Sequence, residues 1–331
     1  MLHVTNGSVA LSRIHDLGLP GDVVPWDDVL HEGPVPGGLA PARLRRVRAE
    51  FLAIDWGDVA AIEQSLTDRD RALAAGVAGD EVVLWFEHDL YDQLQVLQVL
   101  DQVIEARRPL GRPGASVTAI LADDYLSAQP DAVLRAWFEA RRPLAPAAWE
   151  AATEAWAAYR AAGPGRLTTF AHPGAWSTLV TALRRHLQQY PSVHTGLSRT
   201  EGQTLAALAS SPLSVREAFR AANHAVEDAV FMGDAAWWWH IRPLLTGPRA
   251  LVRVEGEVPP GWHHPDWWRD DDDAVRLALT DDGERVVAGE ADHVALNGID
   301  RWLGGVHLVS APGDRNPIWR RDESSGTIVL P

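Results

Sequence analysis

Three short stretches of the chain concentrate the residue types that do chemistry. His3-Val4-Thr5-Asn6-Gly7-Ser8 ends an apolar run in an Asn-Gly turn flanked by two hydroxyls. Trp26-Asp27-Asp28-Val29-Leu30-His31-Glu32-Gly33-Pro34 sets an imidazole among three carboxylates, ahead of a Gly-Pro pair that fixes the loop. Trp85-Phe86-Glu87-His88-Asp89-Leu90-Tyr91-Asp92-Gln93 repeats the theme. Imidazole beside carboxylate can move a proton near neutral pH or hold a divalent metal. His31, Glu32, Glu87, His88 and Asp89 are therefore the candidate catalytic residues, and His31, Glu87, His88 and Asp89 are the set that could bind a divalent metal cofactor. Free amides at a helix start attract anions, so Thr5, Asn6, Gly7 and Ser8 are ligand-binding candidates, joined by Trp26, Asp28, Asp92 and Arg301. Each has a plainer reading. Ser8 can sit near a helix N-cap, Asp89 can cap a helix whose dipole Asp92 favours, residues 27–32 can be a surface loop, and Asp300-Arg301 can lock a turn.

The missing residue types narrow the menu. There is no Cys, and all 30 basic residues are Arg. Without lysine there is no Schiff base and no phosphate-loop lysine; without cysteine there is no thiol nucleophile, disulfide or thiolate zinc site. Carboxylate and imidazole work remains. The formal net charge of −15 repels phosphate backbones at long range, so nucleic acid is not an expected partner. No apolar run approaches the ~20 residues of a membrane span, and a cytoplasmic location is expected.

The elements that must position these residues follow from periodicity. Strands are predicted at Leu2–Thr5, 22–26, Glu81–Phe86 and Ser116–Leu121, each followed by a helix-like stretch, at 7–17, 41–53, 90–106 and 128–140. Alternating strand and helix predicts an α/β domain over 1–142, Rossmann-like, with a mostly parallel sheet and flanking helices. If the strands are parallel, the loops after them, Asp123-Asp124-Tyr125 included, emerge on one edge, where open α/β sheets bind ligands. Residues 143–195 read as an Ala- and Trp-rich helical connector.

A second domain is predicted over 196–331. Ser198-Arg-Thr-Glu201 and Ser214-Val-Arg-Glu217 are capping boxes that start two helices, a third helix is predicted over 226–245 with a break near Gly233, and short strands at 250–254 and 275–280 bracket an acidic loop at 270–273. This order predicts an α+β winged-helix-like domain, closed by a β-hairpin around Ser324-Ser325-Gly326. Its second capped helix offers only Arg216 and Arg220, which argues against DNA recognition. Trp237, Trp238 and Trp239 point about 100° apart on a helix, so at least one should lie at an interface; with Trp262, Trp267 and Trp268 they suggest a homodimer contact.

HVTNG, the W-x-D-V-L-H-E-G-P-V-P stretch and WFEHDLYDQL together resemble an uncharacterised bacterial family, domain of unknown function 1835 (DUF1835). The likeness covers about the first 120 residues and extends to GLSRTE and LNGIDRWLGGVHL further on. It implies a shared site without supplying a reaction; the family commonly has Asp where this chain has Ser8. The expected function is a small-molecule enzyme, a hydrolase or transferase acting on an anionic or nucleotide-like substrate. The alternatives are a ligand-sensing winged-helix regulator and a non-enzymatic assembly protein.

Overall fold

The computed structural model describes residues 1–111, 113–171, 176–257, 275–314 and 316–331. The chain divides into two units, Met1–Leu183 with Gly304–Val306, and Arg184–Leu303 with His307–Pro331. The expected connector is split at this boundary, residues 143–183 belonging to the first unit.

In the first unit, β1 (Leu2–Thr5), β2 (Asp22–Pro25), β3 (Glu81–Phe86), β4 (Ser116–Leu121) and β5 (Arg142–Pro143) form one sheet in the order β2-β1-β3-β4-β5. All pairs are parallel except β4 with β5. Thr5 lies level with Pro25 and Trp85, so the carboxyl ends of β2, β1 and β3 are flush. The four predicted strands are thus present, and the loops that follow them share one edge. The β5 strand has only two residues, too few for period-2 alternation to reveal it.

Helices cover both faces. Ala10, Ile14 and Leu17 of α1 (Ser8–Asp16) and its C-cap pack with Leu134 and Phe138 of α5 (Asp131–Ala140) against Val83, Trp85 and Ile120. Helix α2 (Pro41–Trp56) lies beside α3 (Val59–Ala78), which lies against β1, β2 and β3; α4 (Leu90–Arg107) lies against β3 and α6 (Pro146–Tyr159). Gly76 of α3 meets the Leu2 side chain so closely that a Cβ there would stand 2.5 Å from Leu2 Cδ2. Chain direction reverses at β1: its connection runs to β2 on one side, whereas β3 on its other side leads away to β4. Such a reversal opens a crevice between the carboxyl ends of the two central strands, and Asn6-Gly7 and Glu87-His88 leave the sheet there.

In the second unit, helices Arg199–Leu208 and Val215–Ala222 both carry the complete predicted capping box. Helix Asp234–Thr246 follows, and strands Leu213–Ser214, Arg276–Leu279 and Val252–Glu255 form an antiparallel sheet in that spatial order. The C-terminal hairpin pairs Arg320–Asp322 with Thr327–Val329. The acidic loop at 270–273 and Trp262, Trp267 and Trp268 lie outside the described residues. Trp237 and Trp238 are 0 % exposed, and Trp237 Nε1 donates to Thr204 Oγ1 at 3.1 Å. Those two rings are core of their own unit, which leaves Trp239 as the partly exposed member of the triplet.

Glu201 joins two jobs. It completes a capping box, and it accepts a hydrogen bond from Arg301 in the interior. Burial alone would raise its carboxyl, but Arg301 and His293 outweigh that and hold it well below its ordinary 4.5. A depressed folded-state value stabilises the fold above the unfolded value and withdraws that support as pH falls. Denaturation midpoints should therefore fall steadily below about pH 4.5, and Glu201→Gln should flatten this dependence while lowering stability at pH 7. Equal acid sensitivity in both proteins would refute the assignment.

Candidate functional site

The switch point holds a cavity of about 280 Å³ lined by Asn6, Gly7, Ser8, Asp27, Glu87, Tyr91 and Ser127, among others. Three strand-end loops and the turn after β4 supply it, as the parallel sheet requires. Gly7 has φ 132°, a conformation that L side chains rarely adopt, and a Cβ there would stand 3.0 Å from Asp27 Oδ1. The glycine thus admits a carboxylate against the turn. The Asp27 carboxyl is raised by burial, opposed by Arg69 and by the Ser8 backbone amide. The anion-attracting start of α1 already faces a carboxylate of the protein itself.

Beneath Glu87 lies a carboxylate cluster. Glu87, Asp89 and Asp92 are all buried, and each offers an oxygen within 4.8 Å of the other two. Asp89 is the N-cap of α4, its Oδ1 accepting from the Asp92 amide at 3.1 Å. Asp92 is 0 % exposed; Oδ1 accepts from the Glu87 amide at 2.6 Å and Oδ2 from Asn6 Nδ2 at 2.8 Å, joining the β1 turn to the β3 turn. Glu87 Oε1 accepts from the Leu126 amide at 2.7 Å. Burial raises all three carboxyls: Asp89 to about 7, with repulsion from Glu87 adding to it; Asp92 well above its ordinary value, with repulsion from Asp89 and Glu87; and Glu87, where Asp124 adds to burial. Three desolvated acids at this separation favour either shared protons or a bound cation. Oxygens up to 4.8 Å apart fit opposite ligands of one hard ion with metal–oxygen distances of about 2.0–2.4 Å.

Tyr91 brings its hydroxyl to the cavity, 3.8 Å from where a Gly7 Cβ would stand, and burial raises its pKa. His31 packs edge-on to the Tyr91 ring at 5.9 Å between centroids. It backs the cavity rather than lining it.

The 26–32 loop has mostly a different task. Arg48 of α2 is 1 % exposed on its side chain; Nε and Nη2 donate to Asp28 Oδ1 at 3.0 and 2.7 Å, Nη1 to the Glu32 carbonyl at 2.6 Å and Nη2 to the Val29 carbonyl at 2.9 Å. Gln95 and Gln98 of α4 complete the lock by holding the Asp28 carbonyl and Trp26 Nε1. Tyr159 donates to the Leu30 carbonyl at 2.5 Å.

The site expected from sequence is therefore brought together in part. Asn6, Gly7, Ser8 and Glu87 meet at the cavity, with Asp89 and Asp92 behind them. Thr5 is buried, with no hydrogen-bond partner for Oγ1 among the described residues. His88 instead packs on Tyr125 at 5.3 Å, Glu32 and Asp28 belong to the Arg48 lock, Trp26 lies under Arg69, and Arg301 pairs with Glu201 in the second unit. The expected metal set thus changes: among the described residues neither His31 nor His88 joins the cluster, and Asp92 takes their place. Asp27, Tyr91 and Ser127 were not anticipated. Asp27 could have been found by its position beside Asp28 at the end of β2, but Ser127 carries no local signal.

No family model, curated protein or solved structure matches the chain.

Proposed function

We propose that the first unit is a small-molecule enzyme domain, a hydrolase or transferase, working through a divalent cation held by Glu87, Asp89 and Asp92. The observation that carries this reading is the convergence of three buried carboxylates at the switch point, beneath a cavity that Glu87 itself lines. An all-oxygen set suits Mg²⁺ or Mn²⁺ rather than zinc. The cavity is lined by two acids and no basic residue, so an anionic substrate enters favourably only with a cation to bridge it. A cation there would polarise a phosphoryl or carbonyl oxygen and lower the pKa of an attacking water. Asp27, raised by burial and facing the cavity, is placed as general base; Asn6, Ser8, Tyr91 and Ser127 offer hydrogen bonds that orient the substrate.

Calorimetric titration of the full chain with Mn²⁺ and Mg²⁺ tests the reading. One equivalent should bind and raise the melting temperature, and hydrolysis of generic phosphate esters should require the cation. Absence of any divalent binding would sink it and leave proton sharing among the three acids as the explanation of the cluster.

A second reading concerns the other unit, where helix, strand, helix, helix, strand, strand, with the first strand paired to the last, favours a winged-helix-like scaffold. In that order the third helix would read DNA, but Trp237, Trp238, His240, Ile241 and Leu244 of Asp234–Thr246 are buried. We read it as an assembly module; tight, salt-sensitive retention of duplex DNA in a gel would contradict this.

A further inference from the structure

A second cavity, of about 290 Å³, lies in the first unit among α2, α3, α4 and α6 and is lined by five arginines, Arg45, Arg48, Arg69, Arg108 and Arg160. Three acids line it, Asp28, Asp101 and Glu105, in a chain whose formal net charge is −15. Asp70, which Arg45 and Arg69 share at 2.9 and 3.0 Å, brings the balance to five arginines against four acids, a small positive excess on a strongly acidic protein. It shares no lining residue with the switch-point cavity.

Two of its lining side chains have bonding capacity that the fold does not use. Arg69 is 7 % exposed, and its Nη1 has no hydrogen-bond partner among the described residues; the same is true of Asp28 Oδ2. Arg69 is held in place on two sides. Its Nε and Nη2 donate to Asp70 Oδ1 at 3.1 and 3.0 Å, and its guanidinium lies 3.7 Å over the Trp26 ring, whose Nε1 is fixed by Gln98. A guanidinium clamped on one edge and one face is kept from turning towards solvent to satisfy its last N–H. Buried donors and acceptors are almost always paired, and here an unpaired donor and an unpaired acceptor belong to two side chains that line one cavity.

We propose that this cavity binds a small dianion, phosphoryl or dicarboxylate in class, that also carries a hydroxyl or amine. Arg69, with Arg45 and Arg160 on the walls, takes the anionic group; Asp28 Oδ2 accepts from the ligand's own donor. Arg48, committed to Asp28 and to two carbonyls, serves as the frame. Pockets for drug-sized ligands span about 300–1,000 Å³, so this one admits a compact metabolite and excludes a dinucleotide. Trp156 supplies an apolar wall. The proposal is independent of the cation centre.

The test is calorimetry and thermal shift on the full chain with glycerol 3-phosphate and with malate, against chloride at matched ionic strength. Saturable binding of either is expected, and comparing the two identifies the anion class. Arg69→Gln should weaken it by about tenfold to a hundredfold, the usual range for one charge-assisted hydrogen bond. Arg45→Gln, at a less buried position, decides the matter if the first variant fails to fold, and should weaken binding at least several-fold. Glu87→Gln should leave the affinity unchanged. No binding beyond the chloride control, full affinity in the arginine variants, or loss in Glu87→Gln would each overturn the proposal.

Discussion

Replacing Arg48 by methionine is expected to destabilise the protein by about 3–5 kcal/mol, the cost of removing one partner from a buried ion pair. The magnitude follows from what stays behind. Asp28 is 2 % exposed, and its Oδ1 would lose both guanidinium bonds while Oδ2 has no partner among the described residues to fall back on. The carbonyls of Val29 and Glu32 would lose donors as well. Equilibrium denaturation followed by tryptophan fluorescence measures the loss. Combining Arg48→Met with Asp28→Asn should recover a large part of it, because the stranded charge is then gone. A single-variant cost below about 1 kcal/mol, the range of surface pairs, would mean that the loop is not locked in the way described.

Asp92→Asn should separate the two explanations of the carboxylate cluster. The substitution keeps the shape and removes one of three crowded charges, and the Asn6 amide can turn over to meet the new donor. Without added cation, the variant should be as stable as the parent or more so. Cation affinity should fall by more than about a hundredfold, beyond the effect usual for a group that merely supports a ligand. At a cation concentration 100 times the parent's Kd, the parent gains about 2.7 kcal/mol, and the variant should gain almost none. If the variant binds Mn²⁺ as well as the parent, Asp92 is only the tie between Glu87 and Asn6.

Much of the first unit was legible because its signals are local. Four runs of apolar residues ending in polar turns predict β1 to β4, and parallel pairing then places their loops on one edge. The three motifs likewise point to that edge. What could not be read is which carboxylate faces inward. Asp27 and Asp28 are adjacent, yet one lines the cavity and the other is held by Arg48, and that partner lies twenty residues away on another helix. His31 and His88 have the right chemistry but lie outside the cluster, because imidazoles beside Tyr91 and Tyr125 are held by packing that spacing does not encode. Gln93, Gln95 and Gln98 on helix α4 are buried because each meets a backbone or ring group from a strand-end loop, partners that helical spacing does not reveal. Of the Trp237–Trp239 triplet, in which at least one ring was expected at an interface, Trp237 and Trp238 are enclosed by their own unit and Trp239 is left partly exposed.

The three residues Gly304–Val306 have a bearing on how such a protein could be divided or inherited. Gly305 donates to the Tyr159 carbonyl at 3.0 Å and Gly304 accepts from the Val35 amide at 2.8 Å, while neither glycine has room for a side chain against the Tyr159 and Arg160 backbone. The first unit is therefore completed by a segment encoded more than a hundred codons after the rest of it. A single recombination breakpoint near residue 183 would pass on a sheet and its helices without the piece that finishes them. The pairing of these two units is thus written into the path of the chain, and a lineage that exchanged one for another would have to carry the returning segment with it.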